Sequence, residues 1–356
     1  MAATHHEAAL WKPADGGYAD CFLCAHRCHI APGKIGVCQV RRNRGGRLVS
    51  LVYGRVIAHH VDPIEKKPLF HFLPGSRAYS IATVGCNFQC GFCQNWQISQ
   101  WPRSGAGAGA ASGDMPGEPM DQAEVVAEAR QTGCASVSYT YTEPTIFFEF
   151  ARDCGLLACQ AGLKNSFVTN GYQTPETIEA MAGWVHAANV DLKAWSDEFY
   201  KRLCKARVEP VKEAIRLMHA AGIHVEVTTL LVPGENDAPD HLKAIAEFLA
   251  GISPDLVWHV TRFHPDFDMQ EKPPTPVGTI EQAIRAGREA GLRYVYAGNI
   301  AGRQDTRCPG CGTVVIERPA FGVTNLRAAR PAPDGRHMAC GHCGKVLPII
   351  VAEPRE

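Results

Sequence analysis

Three cysteines fall within one short run, Cys86-Asn87-Phe88-Gln89-Cys90-Gly91-Phe92-Cys93. Thiolates at this C-x3-C-x2-C spacing can ligate three irons of a [4Fe-4S] cube, which needs a ligand on every iron. The loop offers no fourth cysteine, so one iron is left to a non-protein ligand and becomes a reaction site. The same three residues leave two plainer readings open, a three-cysteine zinc site and a chance cluster of buried thiols.

The chain holds 15 cysteines, and most of the others also fall into groups. Cys308-Pro309-Gly310-Cys311-Gly312 and Cys340-Gly341-His342-Cys343-Gly344 are two C-x2-C-G knuckles near the C-terminus. Four thiolates on two knuckles predict a tetrahedral site of the zinc-ribbon kind, with Zn2+ favoured over rubredoxin-like iron and His337 or His342 as substitute ligands. Such a tail is too short for a core of its own, so the metal is expected to hold it folded. Cys21, Cys24, Cys28 and Cys38 form an N-terminal group that fits either zinc or an auxiliary iron–sulfur cluster. The basic run after it, Arg41-Arg42-Asn43-Arg44 with Arg47, reads as a solvated turn. Cys134, Cys154, Cys159 and Cys204 are scattered and read as small buried hydrophobes.

Composition narrows the function classes. The 356 residues carry 36 Lys+Arg against 36 Asp+Glu, so no overall field draws the chain to nucleic acid or an anionic membrane. A nucleic-acid-binding zinc ribbon is disfavoured for want of a basic face. There is no signal-peptide pattern and no apolar run of the roughly 20 residues that would span a bilayer. The expectation is a cytoplasmic protein whose cysteines stay reduced as metal ligands.

The elements that must position these residues follow from hydrophobic periodicity. Short β-branched runs at 79–84, 136–141, 165–169, 188–192, 224–231, 257–263 and 293–297 alternate with amphipathic stretches at 121–131, 144–160, 175–184, 210–221, 240–249 and 280–290. This is the pattern of repeated βα units, and it predicts an α/β fold with a partial (β/α)6-type barrel. The expected organisation is a cysteine-rich segment over 1–78, the barrel over 79–303 and the two-knuckle segment over 304–356. The run 105–110 alternates Gly and Ala and reads as a linker or lid, since no strand precedes it to make it a dinucleotide fingerprint. Reactive groups in such barrels project from the C-terminal strand ends. Those ends are polar here: Glu143, Asn170, Asp191 with Lys193, and His264 follow successive strands, and the cysteine loop follows the first. Asp191 and Lys193, two apart on a strand, point to one face and together can bind a zwitterion.

The cysteine triplet, with Phe92 just before its last member, resembles the signature of the radical S-adenosylmethionine (radical SAM) enzymes. The resemblance implies that the amino and carboxylate groups of SAM chelate the open iron. It further implies that electron transfer from the cluster cleaves SAM to a 5′-deoxyadenosyl radical, which abstracts hydrogen from a protein or small-molecule substrate. Glu143 stands where that family has Gly-Gly-Glu, with Tyr141 and Thr142 in place of the glycines; Asn170 is placed for the ribose or the methionine carboxylate; His264 resembles a histidine near the adenosine; Phe92 packs near the adenine; and Asn95 extends the match of the loop.

Cys21-Phe22-Leu23-Cys24-Ala25-His26-Arg27-Cys28, Asp62-Pro63-Ile64-Glu65-Lys66-Lys67-Pro68-Leu69 and Gly298-Asn299-Ile300-Ala301-Gly302 make the chain similar to the radical SAM member of the AmmeMemoRadiSam system, a branch related to pyruvate formate-lyase activating enzymes. That narrower likeness implies an oxidoreductase-type enzyme, an electron donor of flavodoxin or ferredoxin type, and companions of the Memo and AMMECR types. Glycyl-radical activases carry their extra cysteines after the triplet, whereas this chain carries them before it, which weakens the activase alternative. A non-catalytic iron–sulfur and zinc sensor or scaffold is the competing class.

Overall fold

The computed structural model describes residues 6–104, 115–319, 322–323, 325–326 and 328–351. The glycine–alanine run read as a linker or lid lies outside them.

Each β-branched run forms a strand, with bounds within about two residues of those read from the sequence: β2 Arg77–Ala82, β3 Ser136–Tyr139, β4 Lys164–Thr169, β5 Ala187–Asp191, β6 His224–Leu231, β7 Val257–Arg262 and β8 Tyr294–Gly298. Helices α1 Gln122–Gln131, α2 Phe148–Gln160, α3 Pro175–Met181, α4 Val208–Ala220, α5 Pro239–Ile252 and α6 Val277–Glu289 lie between them. Their starts are written in local chemistry. Asp121 accepts from the Glu124 amide in a reciprocal capping box, Thr174 caps α3, and Pro175 and Pro239 take the first-turn positions where a missing N–H costs nothing.

All of these strands pair in parallel and in sequence order, and one further strand, β1 Ala58–Pro63, pairs antiparallel with β2 to complete an eight-stranded sheet. The sheet ends on β1 and β8 and is open, an α/β architecture with a mostly parallel central sheet. The sheet begins at Ala58, where β1 is in register with β2 over its whole length.

Side chains alternate across such a sheet. One face packs against the helices through residues such as Val137, Tyr139 and Phe167, all fully buried. The other carries small polar residues: Ser80, Ser138 and Ser166 stand side by side in register, and Thr228 donates to Asn189 at 2.9 Å. The segment after β1 crosses this face, for Asn189 donates to the Pro68 carbonyl and the Glu226 carboxylate accepts from the amides of Phe70 and His71. A parallel sheet buried on both faces usually reads as continuous apolar sequence. Here the polar face meets the polar backbone of that crossing segment.

The N-terminal module consists of two small antiparallel sheets, Trp11–Ala14 with Tyr18–Cys21 and His29–Ile30, and His6–Glu7 with Arg47–Ser50 and Arg41–Arg44. The basic run read as a solvated turn is a strand with alternate residues buried: Arg41 is 1 % exposed and Asn43 fully buried. A buried guanidinium needs a counter-charge, and Arg41 has it in an ion pair with Glu149 of α2. The C-terminal segment forms two further small sheets, Thr306–Arg307 with Val314–Ile316, and Ala329–Pro331 with His337–Cys340 and Val346–Ile350.

Candidate active site

The cysteine loop leaves the C-terminal end of β2. Gly85 opens it at φ 98, where a Cβ would stand 2.7 Å from the Val40 side chain, so only glycine allows the loop to press against the N-terminal module. Beyond it Cys90 is buried and Cys86 and Cys93 are half-buried. The loop aims donors at sulfur: the Phe88 amide reaches Cys86 Sγ at 3.3 Å, and the Ser99 hydroxyl lies 3.3 Å from Cys93 Sγ. The amide nitrogen of the Asn87 side chain is buried with no hydrogen-bond partner, a donor left for a group placed among the thiols. Burial pushes up the Cys86 and Cys93 thiols; for Cys90 a hydrogen bond with Cys204 comes first and burial second. Protonated thiols must shed their protons on metal uptake, and three cysteines, two of them with N–H or O–H groups at sulfur, fit a [4Fe-4S] cluster with one open iron.

The rim around the loop gathers most of the residues singled out from the sequence. Asn170 donates to Asn87 Oδ1 at 2.7 Å and lies 3.8 Å from Cys86 Sγ. Glu143 is buried and its carboxylate is fully engaged: Oε1 accepts from the Thr145 amide and from the hydroxyls of Thr145 and Thr169, and Oε2 accepts from the Asn170 amide. It braces the ends of β3 and β4 against each other and thereby fixes Asn170. Lys193 donates to Asp191 at 2.8 Å, with its ammonium 5.8 Å from the Phe92 ring. Desolvation works against this ammonium, but Asp191, Cys90 and Cys204 hold its pKa well above the usual lysine range. Phe92 is buried against Phe199. Asn95 is exposed and donates to the Tyr141 carbonyl at 2.8 Å, tying the loop to β3. His264 is exposed two residues past β7. Nearby, Asp268 donates its amide to the Gly91 carbonyl and Phe267 stacks on Trp96, so the connection after β7 closes onto the cysteine loop.

Residues 80–249 match the model of the radical SAM superfamily. These residues form a radical SAM superfamily domain. The radical SAM match begins in β2 and runs into α5, and so contains the cysteine loop, Asn170 and Lys193. Across nearly its full length the chain is 40 % identical to the uncharacterized protein MJ0808 of Methanocaldococcus jannaschii, over 97 % of this chain and 99 % of that one. A second protein of that organism, MJ0674, is 22 % identical over 78 % of this chain and 77 % of its own length. Among solved structures, a domain of pyruvate-formate lyase-activating enzyme from Bacteroides vulgatus aligns at TM-score 0.39 and 19 % identity, covering 46 % of this chain and 99 % of that one. Streptococcus suis SuiB bound to precursor peptide SuiA aligns at TM-score 0.48 and 14 % identity, over 66 % and 51 % of the two chains.

Outside the radical SAM match, the C-terminal knuckles come together. The sulfurs of Cys308, Cys311, Cys340 and Cys343 lie within 4.8 Å of one another, with Cys308 to Cys343 at 3.6 Å and Cys311 to Cys340 at 3.7 Å. Thiolates about 2.3 Å from one tetrahedral ion stand about 3.8 Å apart, so this group fits a single metal. His337 is turned to Asp334 at 2.7 Å instead.

Several residues around the site escaped the sequence reading. Arg103 donates one nitrogen to the carbonyls of Val37 and Cys86, and Cys204 sits against Cys90. Asp62 takes Lys67 at 2.6 Å, Lys66 at 3.0 Å and the Tyr141 hydroxyl. Burial alone would raise its pKa, and these partners hold it well below the usual carboxylate range. Tyr141 adopts φ 63, which lets one residue bond Asn95 through its carbonyl and Asp62 through its side chain. Long-range pairings of this kind leave no local signal. Among the described residues no helix is long and apolar enough to cross a membrane.

Proposed function

We propose that the chain is a radical SAM enzyme of oxidoreductase type, in which Cys86, Cys90 and Cys93 hold a [4Fe-4S] cluster and the neighbouring rim holds SAM. The observation that carries this reading is the loop itself: three thiols, two of them with hydrogen-bonding groups at sulfur, beside a buried Asn87 side-chain amide nitrogen that has no partner in the protein. Cluster and SAM together supply one-electron reductive cleavage of the sulfonium and hydrogen abstraction from a C–H bond.

The protein's share is binding, orientation and exclusion of water. Asp191 and Lys193 offer one charge of each sign to the zwitterionic methionine end, and Asn170, fixed by the Glu143 brace, offers an amide to its carboxylate or to the ribose. Phe92 supplies an apolar wall to the adenine, Asn95 fixes the loop to β3, and His264 stands at the lip on the adenosine side. A one-electron donor of flavodoxin or ferredoxin type, companions of Memo and AMMECR type and a cytoplasmic setting belong to the same reading, as does Zn2+ in the C-terminal knuckles.

The test is anaerobic reconstitution followed by assay of 5′-deoxyadenosine formation under strong reductant. Wild type should form it, and Cys90→Ala should lose both the SAM-responsive cluster signal and the cleavage. Full cleavage by Cys90→Ala would overturn the assignment of the loop.

A further inference from the structure

The function proposed above leaves Cys21, Cys24, Cys28 and Cys38 without a task. Three of them are buried and Cys28 is half-buried. They converge: the Cys21 amide donates to the Cys28 carbonyl at 2.9 Å, the Cys24 carbonyl between them accepts from the Arg27 amide, and Gly36, whose carbonyl accepts from the Gln39 amide in the turn that carries Cys38, would place a Cβ 3.7 Å from Cys28 Sγ. Yet they are not gathered as the ligands of one ion. The C-terminal sulfurs lie within 4.8 Å of one another, and among the described residues no other set of three or more His, Cys, Asp or Glu does so. A cubane bears its thiolates on separate irons, so its sulfurs stand farther apart than those around a single zinc.

A further observation points to an iron–sulfur centre at this position. Buried Arg41 donates from Nη1 to Cys21 Sγ at 2.9 Å, a charge-assisted bond to sulfur of the kind that adjusts cluster potentials. The group also adjoins the catalytic loop. Arg103 Nη2 bonds the carbonyl of Val37, next to Cys38, at 2.6 Å and that of Cys86 at 2.8 Å. His26, between Cys24 and Cys28, lies 2.9 Å through Nε2 from the Asn87 carbonyl. A Cβ on Gly85 would come within 3.2 Å of the Cys38 carbonyl.

We infer that Cys21, Cys24, Cys28 and Cys38 ligate a second iron–sulfur cluster, which relays single electrons to the SAM-binding cluster through the contact made by Arg103 and His26. With a thiolate on every corner it has no open iron and takes no SAM. One electron from a low-potential protein donor of the flavodoxin class reduces it from the 2+ to the 1+ state. The same electron then passes to the oxidised central cluster, with no bond made or broken. Arg41 is a positioning residue that favours the reduced, more negative state. The relay rests on the radical SAM reading of the central loop, whereas the metal assignment stands without it.

The experiment is metal analysis and EPR of the full chain reconstituted anaerobically. The variant Cys86→Ala/Cys90→Ala/Cys93→Ala should keep one cubane's worth of iron and, on dithionite reduction, give an EPR signal that SAM does not alter. Zinc or no metal at the N-terminal group of this variant would overturn the assignment. Wild type should show a second, SAM-responsive signal; its absence would sink the central reading alone. In Cys24→Ala/Cys38→Ala, checked by circular dichroism for fold, dithionite should still reduce the SAM-responsive cluster while reduced flavodoxin should do so at least tenfold more slowly than in wild type. Equal rates would overturn the relay. Should that variant fail to fold, Arg103→Met carries the same rate comparison, with slowing expected and an unchanged rate refuting.

Discussion

At the scale of single residues, Cys90 is the crowded member of the triplet, with Lys193 and Cys204 both beside it. Lys193 is charged in spite of its burial because Asp191 accepts from its ammonium at 2.8 Å. If it binds SAM, Lys193→Met removes one charge-assisted bond and should weaken SAM affinity about tenfold or more, since such a bond is worth roughly 1.5–3 kcal/mol. Anaerobic equilibrium dialysis would measure this, with iron content as the control; unchanged affinity would remove Lys193 from the site. Cys204 is different. It is fully buried in the main core and its carbonyl accepts from the Gln89 amide, so it supports the loop from behind. Cys204→Ala should keep its full iron complement and the spectral response to SAM. Loss of iron in that variant would instead make Cys204 a ligand.

The elements are joined at points where the chain leaves no room for error. Gly85, between β2 and the triplet, is held at φ 98 with Val40 and the Cys38 carbonyl against it. An alanine there meets both a backbone penalty and a steric one, together on the order of 2–4 kcal/mol. Gly85→Ala should melt earlier by that amount in denaturant titration. Adding Val40→Ala should restore part of the loss, because the clash is with the Val40 side chain; no restoration would place the whole cost in the backbone angle. The cysteine loop and the N-terminal module thus form one packed unit, and a disturbance of either should reach the other.

Across the whole molecule, the central sheet is tied to the segment after β1 by one buried polar knot. Glu226 accepts from the amides of Phe70 and His71 and pairs with His224 and His259 at 3.0 and 2.7 Å. Burial alone would raise its pKa, and the bonds from the two histidines hold it well below the usual range. His71 reaches the Tyr296 hydroxyl, while Arg318 of the C-terminal segment donates to the Phe70 carbonyl and to Thr306. Burial is the largest influence on His71 and lowers its pKa from 6.5 to about 3. Between these values the unfolded chain binds a proton that the folded protein refuses. Stability from this group is therefore whole above about pH 6.5 and is lost as pH falls toward 3, by a few kcal/mol at most. Glu226 acts in the same direction at the acid end. Melting temperature should fall on acidification through this window, and His71→Phe should flatten the profile relative to wild type; parallel profiles would show that His71 is not responsible.

The triplet, the knuckles and the order of strands and helices were legible in the chain because each rests on short-range rules: ligand spacing, β-branched runs and helix caps. The polar strand ends were legible for a related reason, since a parallel βα repeat brings every C-terminal strand end to one rim. Other features required residues far apart in sequence. Arg41 read as part of a solvated turn until Glu149 supplied its counter-charge from α2. Cys204 read as ordinary core, and nothing near Glu226 announced the histidines that surround it. The sequence by itself determined which groups could do chemistry and the repeat that carries them. Only the tertiary structure decided which buried charges are paired and which cysteine groups adjoin, because burial and Coulomb contact depend on distances in space that separation along the chain does not encode.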